Sequence, residues 1–327
     1  MRLLILGGSR FLGRAVVDDA LARGWQVATF NRRGTSHADV ESLIGDRLDP
    51  RSLDQLGARE WDVVVDTWAG APRAVRDSAR ALAGRTERYV YVSSGSVYRP
   101  PPPPGGDESA PTVDASPDAE GGEYPELKRG AELAVEQEIG SRALIARAGL
   151  ILGPREDVGR LPWWLLRMHR GGEVLCPAPP DLPLQYIDAR DLARWMLDGP
   201  IGTFNAVGPP GHTTMGALLE ACRAVTGDRA TLVWADPEFI QEQGVEPWQD
   251  LPIWIPESHE YRGMHAATVD KALASGVTPR PVEDTVRDTW EWLVDVDKQP
   301  PLREDRPAPG LDPAAERAIL DAWRGRA

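Results

Sequence analysis

The stretch that decides the fold is Leu3-Leu4-Ile5-Leu6-Gly7-Gly8-Ser9-Arg10-Phe11-Leu12-Gly13. It has the pattern of a buried strand, a tight turn and the start of a helix, in that order. Gly7 permits the turn, Gly8 lets the backbone approach a ligand closely, and Gly13 lets the helix pack on the strand. The start of the helix then offers unpaired N–H groups to a pyrophosphate. The pattern predicts a dinucleotide-binding turn, and a purely structural strand-to-helix turn is the alternative.

The first half of the chain repeats this alternation of apolar strands and amphipathic helices. Strands are predicted at Arg2–Leu6, Gln26–Phe30, Asp62–Asp66, Tyr89–Ser93 and Ala143–Ala146. Helices are predicted at Gly13–Arg23, Pro72–Ala83 and Leu127–Gly140. Since crossovers between parallel strands are right-handed, this alternation predicts an α/β fold with a doubly wound parallel sheet of the Rossmann type.

The composition changes after Gly153, where most of the twelve tryptophans and several short proline-rich connections occur. This change predicts a smaller, mainly helical substrate lobe. Leu184–Trp195 is typical of a return to the sheet followed by a helix, and Thr203–Val207 fits a further strand. We therefore predict a dinucleotide-binding domain of residues 1–153 with 184–208 returning to it, and a substrate lobe of residues 154–183 and 209–327.

The segment Arg99–Gly122 interrupts the alternation with consecutive prolines, paired glycines and several acidic residues. Such a composition predicts an exposed, partly polyproline loop. It is either a solvated insertion or a cover over a site at the end of the strand that precedes it.

The composition also excludes several classes of protein. Fifty acidic against thirty-seven basic residues give a net charge of −13, which would repel a nucleic-acid backbone. The sequence lacks the run of about 20 apolar residues that a membrane helix needs and the pattern of a signal peptide, so we expect a cytoplasmic chain. Cys176 and Cys222 alone cannot form a disulfide framework or a four-ligand zinc site, so no metal is predicted. The oligomeric state stays open, with a homodimer as one option.

A second pattern indicates proton transfer. Ser94 follows an apolar strand, and Tyr124 lies thirty residues later, four residues before Lys128. A tyrosine and a lysine at this spacing lie one helical turn apart, where the ammonium favours the deprotonated phenol. A serine hydroxyl can hold the substrate oxygen on which negative charge develops. A solvated helix face is the alternative, and Pro125 places Tyr124 at the expected helix cap.

The glycine turn, together with this trio, resembles the extended and atypical branches of the short-chain dehydrogenase/reductase superfamily. Extended members show TGxxGxxG, whereas this chain has Leu6 in place of the Thr and Arg10 in place of the middle Gly. The Gly-Gly-Ser-Arg-Phe-Leu-Gly version is similar to an atypical subgroup of NAD-dependent epimerases and dehydratases that includes chloroplast stem-loop-binding proteins. The resemblance implies the catalytic triad Ser94, Tyr124 and Lys128. Ser93 and Ser96 are the competing serines.

The resemblance also implies a set of cofactor contacts. The end of the second strand has Asn31-Arg32-Arg33 where an NAD-selective fold has an acidic residue, which favours NADP(H) over NAD(H). Two more sequence matches are Asp46-Arg47, at the position of an adenine-binding Asp, and Trp68-Ala69-Gly70, beside the nicotinamide ribose. The complete predicted cofactor site is Gly7, Gly8, Ser9, Arg10, Phe11, Leu12, Gly13, Asn31, Arg32, Arg33, Asp46, Arg47, Trp68, Ala69, Gly70, Ser93, Tyr124, Lys128, Ala148 and Gly149.

The substrate is less well specified. Sugar-nucleotide enzymes of the family carry an Asn at the position of Leu150, and a leucine cannot make that hydrogen bond. Aromatic residues of the second lobe favour a hydrophobic or aromatic carbonyl compound. The predicted substrate residues are Trp163, Gln185 and Trp254.

These observations predict an NADP(H)-dependent oxidoreductase that reduces a carbonyl group of a small molecule through the triad. The first alternative is a nucleotide-sugar epimerase or dehydratase with tightly held NAD. The second is a non-catalytic nucleotide-sensing or RNA-binding protein, because a fold alone does not settle function.

Overall fold

The structure, a computed structural model, describes residues 1–35 and 37–326. Its strands are β1 (Arg2–Leu6), β2 (Gln26–Asn31), β3 (Val40–Ile44), β4 (Trp61–Asp66), β5 (Thr86–Ser94), β6 (Ala143–Ala148), β7 (Leu150–Leu152), β8 (Gly172–Pro177), β9 (Pro183–Leu184), β10 (Tyr186–Asp188), β11 (Gly202–Ala206), β12 (Thr213–Thr214), β13 (Ala230–Ala235), β14 (Pro247–Trp248) and β15 (Leu251–Pro252).

Its helices are α1 (Phe11–Ala22), α2 (Pro50–Leu53), α3 (Pro72–Leu82), α4 (Tyr124–Ile139), α5 (Arg160–Arg170), α6 (Ala189–Asp198), α7 (Met215–Val225), α8 (Pro237–Glu242), α9 (Asp270–Ala274), α10 (Val282–Asp295) and α11 (Pro313–Arg324). In this part of the chain every helix is too short or too polar to cross a lipid bilayer.

Seven strands form one parallel sheet in the order β11-β6-β5-β4-β1-β2-β3. Helices α1 and α6 cover one face, and helices α3 and α4 cover the other. The strand order reverses between β1 and β4, which leaves a crevice at the carboxyl ends of those strands. The predicted doubly wound Rossmann sheet is confirmed.

The strands are apolar because both faces of the sheet are covered. Leu3 and Ile5 of β1 face the core beneath α1, and Leu4 and Leu6 face the core beneath α3 and α4. Each is at most 1% exposed, so a polar residue here would be buried against one helix layer or the other. The sequence LLIL therefore forms the centre of the sheet.

The second lobe has its own apolar core around Trp164, Met168, Leu218 and Trp254. Its short strands pair two at a time, and the longest pair joins β8 to β13 in parallel. Strand β11 pairs with β6 of the main sheet, and α6 packs against α1. The chain thus passes from the first lobe to the second and back before the second lobe is complete.

Several boundaries differ from those predicted, and two of them matter for the site. Strand β5 extends to Ser94, so this residue ends the strand. Helix α4 begins at Tyr124, three residues earlier than the predicted start at Leu127, because Glu123 caps it. The side chains of Glu123 and Glu126 form a reciprocal capping box, and Pro125 is tolerated in the first turn. The expected cap position of Tyr124 is therefore wrong by one residue.

The packing of the glycine turn yields a first prediction. A Cβ at Gly13 would lie 2.8 Å from the Gly8 Cα and 2.9 Å from the Gly8 nitrogen, so the backbone would have to shift. We expect Gly13→Ala to lower the free energy of unfolding by about 1–3 kcal/mol in urea titrations. In Gly84→Ala the added Cβ meets nothing within 4 Å, and that control is expected to match the wild type. Equal stability of the two variants would contradict the packing role of Gly13.

Candidate active site

A cleft of about 500 Å³ opens at the carboxyl ends of the central strands, where ligands bind in doubly wound folds. Its size is ordinary for a small-molecule site. The residues that line it are Arg10, Phe11, Leu12, Gly13, Thr67, Ala69, Val92, Ser93, Ser94, Tyr124, Lys128, Ala148, Gly149, Ile151, Asp157, Arg303, Glu304 and Asp305.

The glycine turn forms one wall of this cleft. Gly7 has a φ of +120° and Gly8 a φ of +84°, values that residues with a Cβ rarely adopt. The N-cap of α1 is Arg10, and no side chain caps the N–H groups of the first turn. Open N–H groups and a backbone without side-chain cover are what a pyrophosphate requires. The turn therefore fits the phosphates of a dinucleotide.

The end of β2 is tied to this turn. The Asn31 amide donates a hydrogen bond to the Gly7 carbonyl oxygen at 3.3 Å and accepts one from the Arg33 nitrogen at 3.0 Å. Arg32 and Arg33 themselves are exposed, as is Ser9 of the turn. Asn31 thus helps to hold the glycine turn in place, and the side chains of the two arginines are exposed to solvent.

Arg47, a predicted cofactor residue, does not line the cleft in the described part of the chain. Its guanidinium is buried and donates to both carboxylate oxygens of Asp66, at 2.6 and 2.8 Å, and to the Ser78 hydroxyl at 3.1 Å. Arg47 therefore neutralises a buried carboxylate inside the protein instead of facing a nucleotide. Asp46 remains partly exposed and accepts a hydrogen bond from the Leu48 nitrogen, which shapes the turn after β3.

Trp68-Ala69-Gly70 follows β4 and contributes to the cleft unevenly. Ala69 lines the cleft, whereas the Trp68 ring is held by a hydrogen bond from Nε1 to the Ala71 oxygen and by the Arg47 guanidinium 5.1 Å above it. Gly70 lies against that ring, because a Cβ there would meet the indole at 3.0 Å. The backbone of Trp68 has a further role as an acceptor for Lys128.

The structure brings Ser94, Tyr124 and Lys128 together in the same cleft. Tyr124 is the first residue of α4 and is 42% exposed, so its phenol is open to a ligand. Ser94 caps the short helical turn after β5, with its Oγ 3.1 Å from both the nitrogen and the Oγ of Ser96. A phenol, an ammonium and a hydroxyl around one cavity can polarise a carbonyl and move a proton.

Lys128 is the most constrained member of the trio. It is only 3% exposed, and its Nζ donates to the Trp68 and Val92 carbonyl oxygens, each at 2.7 Å. Burial lowers the pKa of Lys128 to about 8, against the opposing charges of Asp66 and Glu132. The Lys128 ammonium can therefore lose its proton at mildly alkaline pH.

The two competing serines are placed differently from Ser94. Ser93 lines the cleft, but its hydroxyl is buried and donates to Glu132 Oε1 at 2.5 Å. The Ser96 hydroxyl accepts a hydrogen bond from Ser94 Oγ. Arg147 completes this network through two hydrogen bonds of 2.9 Å to Glu132. Ala148 and Gly149, which follow Arg147, line the cleft beside it.

The structure uses all three predicted substrate residues for packing, and their part in substrate binding stays a prediction. Trp254 is fully buried in the second-lobe core. Gln185 is also fully buried, and its amide makes two hydrogen bonds of 2.8 Å with the backbone of Ala267. Trp163 packs edge-on against Trp164, with ring centroids 4.7 Å apart. In each case the aromatic or amide surface is used to hold the lobe together.

Sequence reasoning missed one segment that lines the cleft. We call residues 298–311, between α10 and α11, the strap. Its Arg303, Glu304 and Asp305 line the cleft, and the Arg303 nitrogen donates to the Asp157 oxygen at 2.9 Å. The charged, proline-rich sequence of the strap resembles a linker, so no local signal could have found it. The loop at 99–122 docks elsewhere: the Asn205 nitrogen donates to the side chain of its Glu108 at 2.7 Å.

Comparisons with known proteins agree with this fold. A family model described as the NAD dependent epimerase/dehydratase family matches residues 3–198. The fold is similar to UDP-glucose 4-epimerase from Thermotoga maritima, solved with UDP-glucose, at a TM-score of 0.64 and 18% identity over 90% of this chain and 99% of that one. It is also similar to WbmG from Bordetella bronchiseptica, solved with NAD and UDP, at a TM-score of 0.63 and 19% identity over 94% and 99%.

A third similar structure is the NAD complex of UDP-glucose 4-epimerase from Thermus thermophilus, at a TM-score of 0.61 and 21% identity over 90% of this chain and 99% of that one. Among curated proteins, none matches the chain in sequence. Identities this low establish the shared fold, and the family follows from the match over residues 3–198.

The buried ammonium yields a second prediction. The folded-state pKa of Lys128 is about 8 against an ordinary 10.5, so between these values the unfolded chain binds one more proton than the native one. Stability must then rise with pH across that window, by up to about 3 kcal/mol, relative to a chain without the group. We expect the difference in unfolding free energy between the wild type and Lys128→Met to grow in favour of the wild type from pH 8 to pH 10. Parallel pH profiles in urea titrations would contradict the assignment.

Proposed function

The chain belongs to the NAD dependent epimerase/dehydratase family, and from that premise we propose that it is an epimerase or dehydratase of a nucleotide-linked sugar that retains its nicotinamide cofactor. The single observation that carries this proposal is the meeting of Ser94, Tyr124 and Lys128 with the glycine turn in one cleft. Such an enzyme would oxidise a substrate alcohol and later return the hydride to the oxidised intermediate, so the cofactor would be regenerated within each cycle.

A bound nicotinamide dinucleotide supplies the acceptor and the donor of the hydride. The chain's own residues supply the proton chemistry. The Tyr124 oxygen accepts the proton of the substrate hydroxyl during oxidation and returns it during reduction. The Ser94 hydroxyl donates a hydrogen bond to the same substrate oxygen and stabilises the charge that develops there. The Lys128 ammonium donates to the carbonyl oxygens of Trp68 and Val92, and these contacts fix the position of the first turns of α4.

The walls of the cleft favour a cofactor that stays bound. The strap lines the cleft, and two backbone hydrogen bonds fasten it: the Arg303 nitrogen donates to the Asp157 oxygen at 2.9 Å, and the Gly310 nitrogen donates to the Gln249 oxygen at 2.8 Å. A fixed segment along the cleft favours a cofactor that is retained over one that is exchanged in every turnover. Structural neighbours crystallised with NAD, with UDP or with UDP-glucose support the same reaction class.

Leu150 remains a departure from the sugar-nucleotide enzymes. The residue is 6% exposed and pairs with Tyr186 between β7 and β10, so it offers no polar contact to a ligand. Recognition of the nucleotide must then come from other groups of the second lobe. This departure is the reason to keep a second candidate.

The second candidate is a reductase that consumes NADPH to reduce a carbonyl compound with the same trio. The exposed Arg32 and Arg33 favour it, because guanidinium groups pair with a 2′-phosphate and the end of β2 carries no repelling carboxylate. The two candidates differ in whether added cofactor is consumed.

Nucleotide analysis of the purified protein separates the two candidates. We expect acid release and chromatography to yield NAD⁺ in near-stoichiometric amount from the wild type. We also expect no net oxidation of added NADPH in the presence of UDP-glucose. A protein that purifies empty and oxidises NADPH with a panel of ketones would establish the second candidate.

Removal of one oxygen tests the proton-transfer role. Tyr124→Phe leaves the ring and deletes the phenol, so turnover of a sugar nucleotide should fall by about 10²–10⁴-fold with the affinity for NAD⁺ unchanged. Tyr261→Phe is a matched control, because Tyr261 packs beside His259 at 5.8 Å and is not part of the cleft wall. Retained turnover in Tyr124→Phe would overturn the assigned role.

A further inference from the structure

Arg10 is a charged residue of the glycine turn at the position where the TGxxGxxG pattern has its middle glycine. It is the N-cap of α1, with an extended backbone (φ −132°, ψ 159°), and its side chain is 62% exposed and lines the cleft. Its Nη1 lies 3.9 Å from Oδ2 of Asp157, a residue between β7 and α5 that lines the same cleft. Because 3.9 Å is too long for a hydrogen bond, this ion pair leaves the N–H groups of the guanidinium available to another acceptor.

The segment that carries Asp157, residues 153–159, is held in place by contacts on both sides of this residue. Glu156 is fully buried, and its carboxylate oxygens accept from two backbone nitrogens in the first turn of α5, at 2.8 and 3.0 Å. The Asp157 backbone oxygen accepts from the Arg303 nitrogen of the strap at 2.9 Å. The Asp157 side chain is only 15% exposed. Its carboxylate is therefore a fixed negative charge at the edge of the cleft.

A second ion pair joins the same segment to α1. Arg155 Nη1 lies 2.8 Å from Oδ2 of Asp18, a residue in the middle of α1. Within the described part of the chain, the lining of the cleft includes neither of these two residues. Both pairs thus connect the segment to the glycine turn or its helix, and the pair of Arg10 and Asp157 is the one that a ligand in the cleft can reach.

The charges of this pair determine what a phosphate meets on the glycine turn. A carboxylate in the cleft repels a pyrophosphate, and the net charge of −13 adds to that repulsion. Burial raises the pKa of Asp157, and the charges of Arg303 and Arg10 oppose that rise. Arg10 can offset the charge of Asp157 toward a phosphate, because one guanidinium has enough N–H groups to pair with a carboxylate and a phosphate at the same time.

We propose that Arg10 binds the pyrophosphate of the nicotinamide dinucleotide and that Asp157, acting through Arg10, slows the release of that dinucleotide. The carboxylate holds the guanidinium in the cleft, so the phosphate contact is kept in place until the ion pair breaks. Asp157 is then a positioning residue, and Arg10 is the residue that contacts the ligand. The inference rests on the proposed function for the presence of a dinucleotide, and it does not depend on the substrate or the reaction.

The rate of dinucleotide release tests both residues in the full-length protein. The protein is loaded with radiolabelled NAD⁺, and release into an excess of unlabelled NAD⁺ is timed. We expect Arg10→Gln to speed release at least about tenfold, because a hydrogen bond to a charged group is lost. Asp157→Asn should speed release about two- to fivefold, since a partly exposed ion pair contributes less. Asp157→Glu keeps the charge and should release NAD⁺ more slowly than Asp157→Asn.

The sign of the change in Asp157→Asn separates a positioning carboxylate from one that only repels the pyrophosphate. A carboxylate that only repels would give slower release when it is neutralised, and unchanged or slower release overturns the inference. The double variant Arg10→Gln/Asp157→Asn should release NAD⁺ no faster than Arg10→Gln, because Asp157 acts through Arg10. Additive increases in the double variant would also overturn it.

Arg155→Gln is the matched control, because it removes the other ion pair between the segment and α1 and leaves the cleft lining intact. It should release NAD⁺ at the wild-type rate. An increase as large as that of Asp157→Asn would mean that any loosening of the segment is sufficient, and the assigned role of Asp157 would be wrong.

A comparison of NAD⁺ with NADP⁺ identifies the group that Arg10 contacts. The two dinucleotides share the pyrophosphate, so Arg10→Gln should speed the release of both by the same factor. A larger factor for NADP⁺ would assign Arg10 to the 2′-phosphate and would overturn the pyrophosphate contact.

Failure of the proposed function would be recognised separately. A wild type that purifies without NAD⁺ and consumes NADPH rejects the retained cofactor, and release of bound NADPH then tests the pair in the same variants. A wild type that retains NAD⁺, with variants that release it at the same rate, keeps the proposed function and overturns the inference. A wild type that binds neither dinucleotide overturns both.

Discussion

The ammonium of Lys128 is the contact on which the site depends. A charged group buried to this extent must have acceptors, and the carbonyl oxygens of Trp68 and Val92 provide them. One carbonyl lies two residues after β4 and the other near the end of the neighbouring strand β5, so one side chain fastens α4 to the rim of the sheet. Tyr124 is one helical turn earlier on the same helix, and its ring is exposed in the cleft.

Two buried ion pairs stabilise the elements that carry the cleft residues. Arg47 and Asp66 join the turn after β3 to the end of β4, and Arg147 and Glu132 join β6 to α4. Loss of one partner from such a pair leaves an uncompensated buried charge and typically costs about 3–5 kcal/mol. The charged residues of these two ion pairs thus stabilise the fold, whereas Ser94 and Tyr124 line the cleft, where a ligand can reach them.

Local patterns in the sequence predicted the parts of the structure that local forces determine. The glycine turn and the four-residue spacing of Tyr124 and Lys128 are such parts, and the structure brings them together. The partners of Arg47 and Gln185, which are Asp66 and Ala267, are distant in sequence, so no local pattern could reveal these contacts. The sequence does not distinguish an arginine in a buried ion pair from one that binds a ligand, because only tertiary contacts separate the two.

The strap is a second example of a feature that local sequence patterns do not reveal. Arg303 meets Tyr124 across 179 residues of sequence, 303 minus 124, and nothing in its composition indicates a site. Residues that close a cleft from a second lobe are positioned by the whole fold, so they escape reasoning from periodicity and spacing.

The most direct measurement is a crystal structure of the purified protein with NAD⁺. The account predicts electron density for the pyrophosphate against the Gly7–Gly13 turn, with the nicotinamide end beside Ser94, Tyr124 and Lys128 and the strap closed over it. Density for the dinucleotide elsewhere, or a nicotinamide remote from the Tyr124 phenol, would contradict the account.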